Sequence, residues 1–138
     1  MEAPMQIAYS LEPNLSVQAF RDILIASTLA ERRPIKDPER LERMLRHANI
    51  IVTARDSGRL VGVSRAITDF AYCCYLSDLA VDVAYQRQGI GKRLVEETRV
   101  RAGECATLIL VSAPAAEAYY PKIGMNHVAS CWAFPRVR

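Results

Sequence analysis

The chain has 138 residues, 51% of them apolar and 24% charged, with a formal net charge of +3. This length suits one domain spanning 1–138, and the apolar share excludes a disordered chain. The charge is mild and its signs are interleaved, as in Asp37-Pro38-Glu39-Arg40-Leu41-Glu42-Arg43, which describes a solvated helix face and not the basic stripe of a nucleic-acid binder.

Met5 to Ser10 alternates loosely and reads as a first strand. Val17, Phe20, Ile23, Leu24 and Ser27 fall near helical spacing, so a helix is expected over Ser16 to Leu29, interrupted by Arg32-Arg33-Pro34. Asp37, Pro38 and Glu39 form a start signal: an N-cap, a proline in the first turn, then an acid. Leu41, Met44, Leu45 and Ala48 mark the apolar face of the second helix. The period then changes. Asn49 to Arg55 and Arg59 to Thr68 are rich in Val and Ile around Asp56-Ser57-Gly58, a hairpin, and Tyr72 to Val83 supplies the next strand. Gly89 to Ala102 reads as a helix with Leu94, Val95, Thr98 and Ala102 inward. Thr107 to Val111 has the apolar run of a central parallel strand. Ala115 to Ile123 is a short helix ended by Gly124, and Met125 to Phe134 a last strand. The order predicts an α/β fold: a mixed central sheet of about six strands flanked by about four helices.

No run approaches the length of a membrane span, and the N-terminus lacks a basic stretch followed by an apolar one, so neither a membrane partner nor a secretory leader is expected. Cys73, Cys74, Cys105 and Cys131 make no C-x-x-C pair, which disfavours zinc or a disulfide framework. Buried free thiols in a reducing cytoplasm are expected, with no metal.

The informative stretch runs from Leu79-Ala80-Val81 through Gln86-Arg87-Gln88-Gly89-Ile90-Gly91-Lys92. A strand enters a turn that opens a helix. The first four N–H groups of a helix lack internal partners and its end carries partial positive charge. Gly89 and Gly91 have no Cβ, so a diphosphate can approach the amides of Arg87 to Lys92, with Arg87 and Lys92 adding charge. By itself this pattern also fits an ordinary helix start. Neither G-x-G-x-x-G nor G-x-x-x-x-G-K-[ST] is present, which rejects a Rossmann fingerprint and a P-loop.

These residues resemble the GNAT superfamily of N-acetyltransferases. Its diphosphate signature Q/R-x-x-G-x-G/A matches Gln86, Gly89 and Gly91. Its closing segment A-x-x-F-Y-x-K-x-G-F matches Ala116-Glu117-Ala118-Tyr119-Tyr120-Pro121-Lys122-Ile123-Gly124-Met125, at the expected separation, and the element order agrees over nearly the whole chain. The resemblance implies acetyl-CoA as co-substrate, its pantetheine arm along Leu79, Ala80 and Val81, and its diphosphate on Gln86 to Lys92. The family often carries an Asn in the loop after the strand at 107–111; Ala113 stands there, which puts one pantetheine contact in doubt.

The resemblance also implies direct attack of an amine on the thioester. An alkylamine of pKa about 10.4 is protonated at pH 7, and freeing its lone pair costs about 4–5 kcal/mol. Asp78, on the strand before the motif, is a candidate general base; its alternative role is structural or substrate-orienting. Tyr120 matches the family tyrosine near the sulfur, a candidate proton donor to the leaving thiolate, with packing as its alternative; Tyr119 reads as the core residue of the pair. Backbone N–H groups at Leu79 to Val81 are expected to face the oxyanion. Arg32, Arg33, Arg65, Glu31 and Asp69 lie where an acceptor would enter, the arginines suiting a carboxylate and the acids a cation, though surface charge is the ordinary reading of each. His47 reads as a helix-end residue, His127 as packed or solvent-facing, and Trp132 as core or dimer interface. The expected function is N-acetylation of a primary amine on a small molecule, as a monomer or homodimer. The alternatives are a protein or peptide N-acetyltransferase and a non-catalytic acetyl-CoA-binding regulatory module.

Overall fold

The computed structural model describes residues 5–138. Its sheet is built from β1 (Ile7–Leu11), β2 (Ile50–Asp56), β3 (Arg59–Thr68), β4 (Cys73–Val81) and β5 (Thr107–Ile109), in the spatial order β1-β2-β3-β4-β5. The first four strands are antiparallel neighbours, and β5 runs parallel to β4. The helices are α1 (Val17–Ala26), α2 (Pro38–Arg46), α3 (Ile90–Ala102) and the single turn α4 (Tyr119–Lys122). Among the described residues no helix is long and apolar enough to cross a membrane.

The caps behave as local chemistry dictates. Ser16 Oγ accepts from the Ala19 N–H at 3.1 Å, and an Asp37 carboxylate oxygen accepts from the Arg40 N–H at 3.1 Å, with Pro38 in the first turn of α2. Helix α1 stops before Leu29. Ser27 Oγ donates to Leu24 O and accepts the Leu29 N–H, and Thr28 adopts a left-handed φ of 71°, so Leu29 begins a 3₁₀ turn instead.

The sheet divides two cores. On one face Phe20, Ile23 and Leu24 of α1 and Leu41 and Leu45 of α2 pack against Ile51, Val63 and Ala80. On the other, Ile90, Leu94 and Ala102 of α3 cover Ile50, Val52, Ala54 and Cys74. Gly62 admits α3: a Cβ there would meet Leu94 Cδ1 at 3.0 Å.

The register of β4 contains one irregularity. Arg65 pairs with Asp78 but Ala66 pairs with Leu76, so Ser77 is an extra residue, a β-bulge. The bulge inverts the alternation of the strand. Cys74 faces α3, whereas Ala80, also even-numbered, faces α1.

The C-terminal part departs from expectation. β5 has three residues and lies at the sheet edge, half to fully exposed, not in the centre. The expected strand at Met125 to Phe134 does not form, which leaves five strands where about six are expected. So short a β5 offers few ladder positions, and the segment packs little: Trp132 is 91% and Phe134 104% exposed, so Trp132 is no core residue of the chain. The short helix expected over 115–123 is split into a 3₁₀ turn, Pro114–Ala116, and α4; Gly124, φ 93°, ends α4 as anticipated. Of the four free thiols only Cys74 is buried; Cys73, Cys105 and Cys131 are exposed.

The β3–β4 connection is closed by Asp69, one carboxylate oxygen of which accepts from the N–H groups of Ala71, Tyr72 and Cys73. Those three bonds hold its pKa down to about 2. The folded value is depressed, so the stabilisation is complete above the ordinary carboxyl value and fades as pH falls toward about 2. Asp69→Ala is therefore expected to lower the melting temperature by about 3–6 °C at pH 7. The gap from the parent should narrow steadily between pH 4 and pH 2.5 in paired thermal melts. A gap independent of pH would remove Asp69 from this role.

Candidate active site

Two open features lie side by side at the C-terminal end of β4. The first is a strand edge. β4 pairs with β5 only at Cys73, Cys74 and Tyr75, so from Leu76 to Val81 it has β3 on one side and no strand on the other. Asp82 N–H donates to Val61 O of β3, so by the alternation of an antiparallel ladder Val81 and Leu79 turn their N–H and C=O groups to the open side. Gln86 confirms that direction: its Nε2 donates to Val81 O at 3.0 Å.

The second is the start of α3. Gly89 is its N-cap residue at φ 83°, and no side chain caps the helix. Its first backbone bond is donated by Arg93 to Gly89 O, at 3.1 Å, and the amides of Ile90, Gly91 and Lys92 lie ahead of it. Arg87 also holds a positive φ, 64°. The loop that presents this end is pinned to the β2–β3 hairpin. Tyr85 OH donates to Asp56 Oδ2 at 2.7 Å, Asp82 Oδ1 accepts the Ala84 N–H at 2.9 Å, and Arg59 Nη2 lies 3.4 Å from Asp82 Oδ2. The arrangement suits a diphosphate: unpaired donors, positive dipole end, and open space where a Cβ on Gly89 would stand. Gly91 has a different neighbour. A Cβ there would come 2.9 Å from the Tyr119 hydroxyl, so Gly91 makes room for that ring as well as for a ligand.

Asp78 lies on the face of α1 and α2, fully buried, with each carboxylate oxygen taken by one guanidinium. Arg33 Nε donates to Oδ1 and Arg65 Nε to Oδ2. Both arginines also grip the bulge: Arg33 Nη2 donates to Ser77 O at 2.8 Å and Arg65 Nη2 to Ser77 Oγ at 3.0 Å. Arg65 Nη1 reaches Met44 O of α2 at 3.0 Å. Arg65 is thus a buried structural ion and not the surface charge that the sequence suggested. Its place inside the apolar run of β3 is the signal that could have found it, since a buried guanidinium demands a partner. Asp69 is engaged in its loop, while Glu31, Arg32, His47 and His127 lie toward solvent.

Tyr119 and Tyr120 are half-buried and meet edge to face, ring centroids 5.2 Å apart. Burial pushes both phenols above their ordinary value, Tyr119 adding to the shift of Tyr120. Over the paired segments of β4 and β5 a groove of about 440 Å³ is lined by Tyr72, Cys73, Tyr75, Thr107 and Ile109 among others. Among the described residues no group of three or more His, Cys, Asp or Glu is placed to hold a metal ion.

Comparison with known proteins shows the family to which this arrangement of strand edge and helix start belongs. Residues 24–131 match the acetyltransferase (GNAT) domain family, and the chain belongs to that family. It is 28% identical over 99 residues to the uncharacterized N-acetyltransferase ycf52 of Porphyra purpurea, an alignment covering 67% of this chain and 55% of that protein. The chain thus spans about half the length of this curated relative. A probable acetyltransferase from methicillin-resistant Staphylococcus aureus superposes with a TM-score of 0.78 at 21% identity, over 96% of this chain and 99% of that one. The aminoglycoside N-acetyltransferase AAC(6')-Iy, solved with CoA, superposes at 0.74 and 12% identity, over 100% and 99%. At these identities the structural likeness is one of fold.

Gly89→Ala is expected to cost about 1–2 kcal/mol of stability, because an L-residue with a Cβ is strained at that positive φ. Urea denaturation of the variant reads the loss directly. Parent-like stability would show that the turn has a second conformation without the left-handed residue.

Proposed function

We propose that the chain transfers the acetyl group of acetyl-CoA to a primary amine of a small molecule, in a single direct displacement. The observation that carries this reading is the unpartnered edge of β4 from Leu76 to Val81, running into the uncapped first turn of α3. In this reading the amides from Arg87 to Lys92 hold the diphosphate, with Arg87 and Lys92 supplying charge. Gln86 braces the loop through Val81 O. The outward N–H and C=O groups of Leu79 and the outward N–H of Val81, with Ala80 between them, hold the pantetheine arm in the manner of an added strand. The amine nitrogen bonds to the acetyl carbon as the carbon–sulfur bond breaks, the sulfur leaving with the electron pair. Of the two protons that the acceptor's ammonium nitrogen gives up, one is released to water before attack, and the other, lost as the amide forms, replaces the proton that the thiolate takes.

Tyr120 is the proposed donor to that thiolate. Its raised pKa keeps the phenol protonated at neutral pH, as the role requires. Asp78 fits the second of the roles open to it. Both its oxygens are occupied by guanidiniums, that of Arg65 buried and that of Arg33 partly exposed, so it anchors the strand and the amine proton leaves through water. The free cysteines fit a reducing compartment such as the cytoplasm. The small-molecule acceptor is favoured by the aminoglycoside enzyme that shares the fold.

Calorimetry should detect acetyl-CoA binding, and thiol release should follow with some member of an amine panel. Absence of binding would end the acetyl-transfer reading, and binding without turnover would turn it toward the regulatory module. Tyr120→Phe is expected to lower kcat by about 10²-fold with CoA affinity nearly unchanged. The parent should keep its rate through the neutral range and lose it only on the alkaline side of the ordinary phenol range, because burial raises the Tyr120 pKa, and the variant should lack that alkaline limb. An unaltered kcat would take the donor role from Tyr120.

A further inference from the structure

We propose that the acceptor carries a carboxylate near its reacting amine and that Arg33 receives that carboxylate; this deepens, and rests on, the acetyl-transfer reading. The first ground is charge. Arg33 and Arg65 bring two positive charges to the single negative charge of Asp78. Asp78 is wholly buried, the Arg65 side chain is 6% exposed and that of Arg33 is 20% exposed. A surplus cation in so dry a place is poorly solvated, and an anion brought by the ligand completes the cluster.

The second ground is the donor count. A guanidinium has five N–H groups. Arg33 commits three of them, Nε to Asp78, Nη1 to Arg32 O at 2.8 Å and Nη2 to Ser77 O at 2.8 Å. Among the described residues the remaining N–H on each terminal nitrogen has no assigned acceptor. Two donors on one rigid plane match the two oxygens of a carboxylate. Arg65 makes three comparable bonds deeper in the fold, so Arg33 is the member of the pair that solvent, and a ligand, can reach.

The third ground is place. Arg33 touches the carbonyl of Ser77, two residues before the open position at Leu79. α3 covers the opposite face of the sheet, so an acceptor approaches that edge from the side of Arg33. Two acids near that edge are engaged, Asp78 by two guanidiniums and Asp69 by three backbone amides, while Glu31 lies exposed to solvent. A polycationic amine would instead meet the uncompensated guanidinium.

The test compares matched acceptors at saturating acetyl-CoA: amino acids, the same amines after decarboxylation, and polyamines. Amines bearing the carboxylate should be preferred by about 100-fold or more in kcat/KM. Arg33→Gln should reduce kcat/KM for the carboxylate-bearing acceptor by at least about tenfold more than for its decarboxylated partner, chiefly through acceptor KM, and Arg33→Lys should restore part of the preference. A melting curve of each variant separates loss of fold from loss of recognition. Preference for polyamines or decarboxylated amines, no turnover of carboxylate-bearing amines while acetyl-CoA binds, or an equal loss on both partners in Arg33→Gln would overturn the proposal. Failure to bind acetyl-CoA at all would instead overturn the reading beneath it.

Discussion

The structure depends on the grip of two guanidiniums on one buried carboxylate. Arg33 comes from the connection between α1 and α2, Arg65 from β3 and Asp78 from β4, and the same guanidiniums bind Ser77 and Met44. Removing one partner from such a cluster typically costs about 3–5 kcal/mol, because it strands a buried charge. That is a large share of the stability of a domain this size. The cluster also explains why the bulge sits at Ser77. Without an extra residue there, Asp78 would face α3 and the guanidiniums would lose their counterion; with it, Asp78 meets Arg65 and Ala80 enters the core against α1.

From the bulge onward the geometry of the site follows in sequence. β4 keeps its ladder with β3 but not with β5, whose three residues end opposite Tyr75. An exposed strand edge is normally a liability. Here it runs directly into a loop fixed by Tyr85 on Asp56 and by the Arg59–Asp82 contact, which hold the first turn of α3 against the end of the strand. Two positive φ values, at Arg87 and Gly89, turn the chain sharply enough to bring strand edge and helix end together. Unsatisfied strand groups and unsatisfied helix amides thus share one surface, which is what an extended ligand with an anionic portion requires.

Much of this was legible in the residues. The cap at Asp37, the hairpin around Asp56-Ser57-Gly58, the inward face of α3 and the glycine-bearing turn before it all rest on local rules, and the structure places each where those rules put it. The bulge was not legible, because no glycine or proline marks Ser77 and its cause, the pairing of Asp78 with Arg65, is a contact across the sheet. The pairing of Arg33 with Asp78 was hidden for the same reason: the two lie 45 residues apart in sequence. The last strand failed for the opposite reason. Val128, Trp132 and Phe134 have the alternation of a strand, but alternation supplies only one side of a ladder, and β5 is too short to supply the other.

The charge of the site bears on the proton that the amine must lose. A pocket lined by free carboxylates would hold the acceptor as its ammonium ion, stabilise the charged form and add to the cost of freeing the lone pair. The face that meets the open edge of β4 does the reverse. Its one buried carboxylate is outnumbered by guanidiniums, and a carboxylate arriving with the acceptor brings the cluster only to neutrality. The ammonium form therefore gains little on binding, and the cost of deprotonation stays near the about 4–5 kcal/mol set by the amine's own pKa in water. A cost of that size is compatible with ordinary turnover, so in the proposed transfer release of the proton to water would suffice without a dedicated base. In the proposed transfer Asp78 serves the chemistry by holding its place: the same two ion pairs that occupy its oxygens hold the strand on which the thioester would lie.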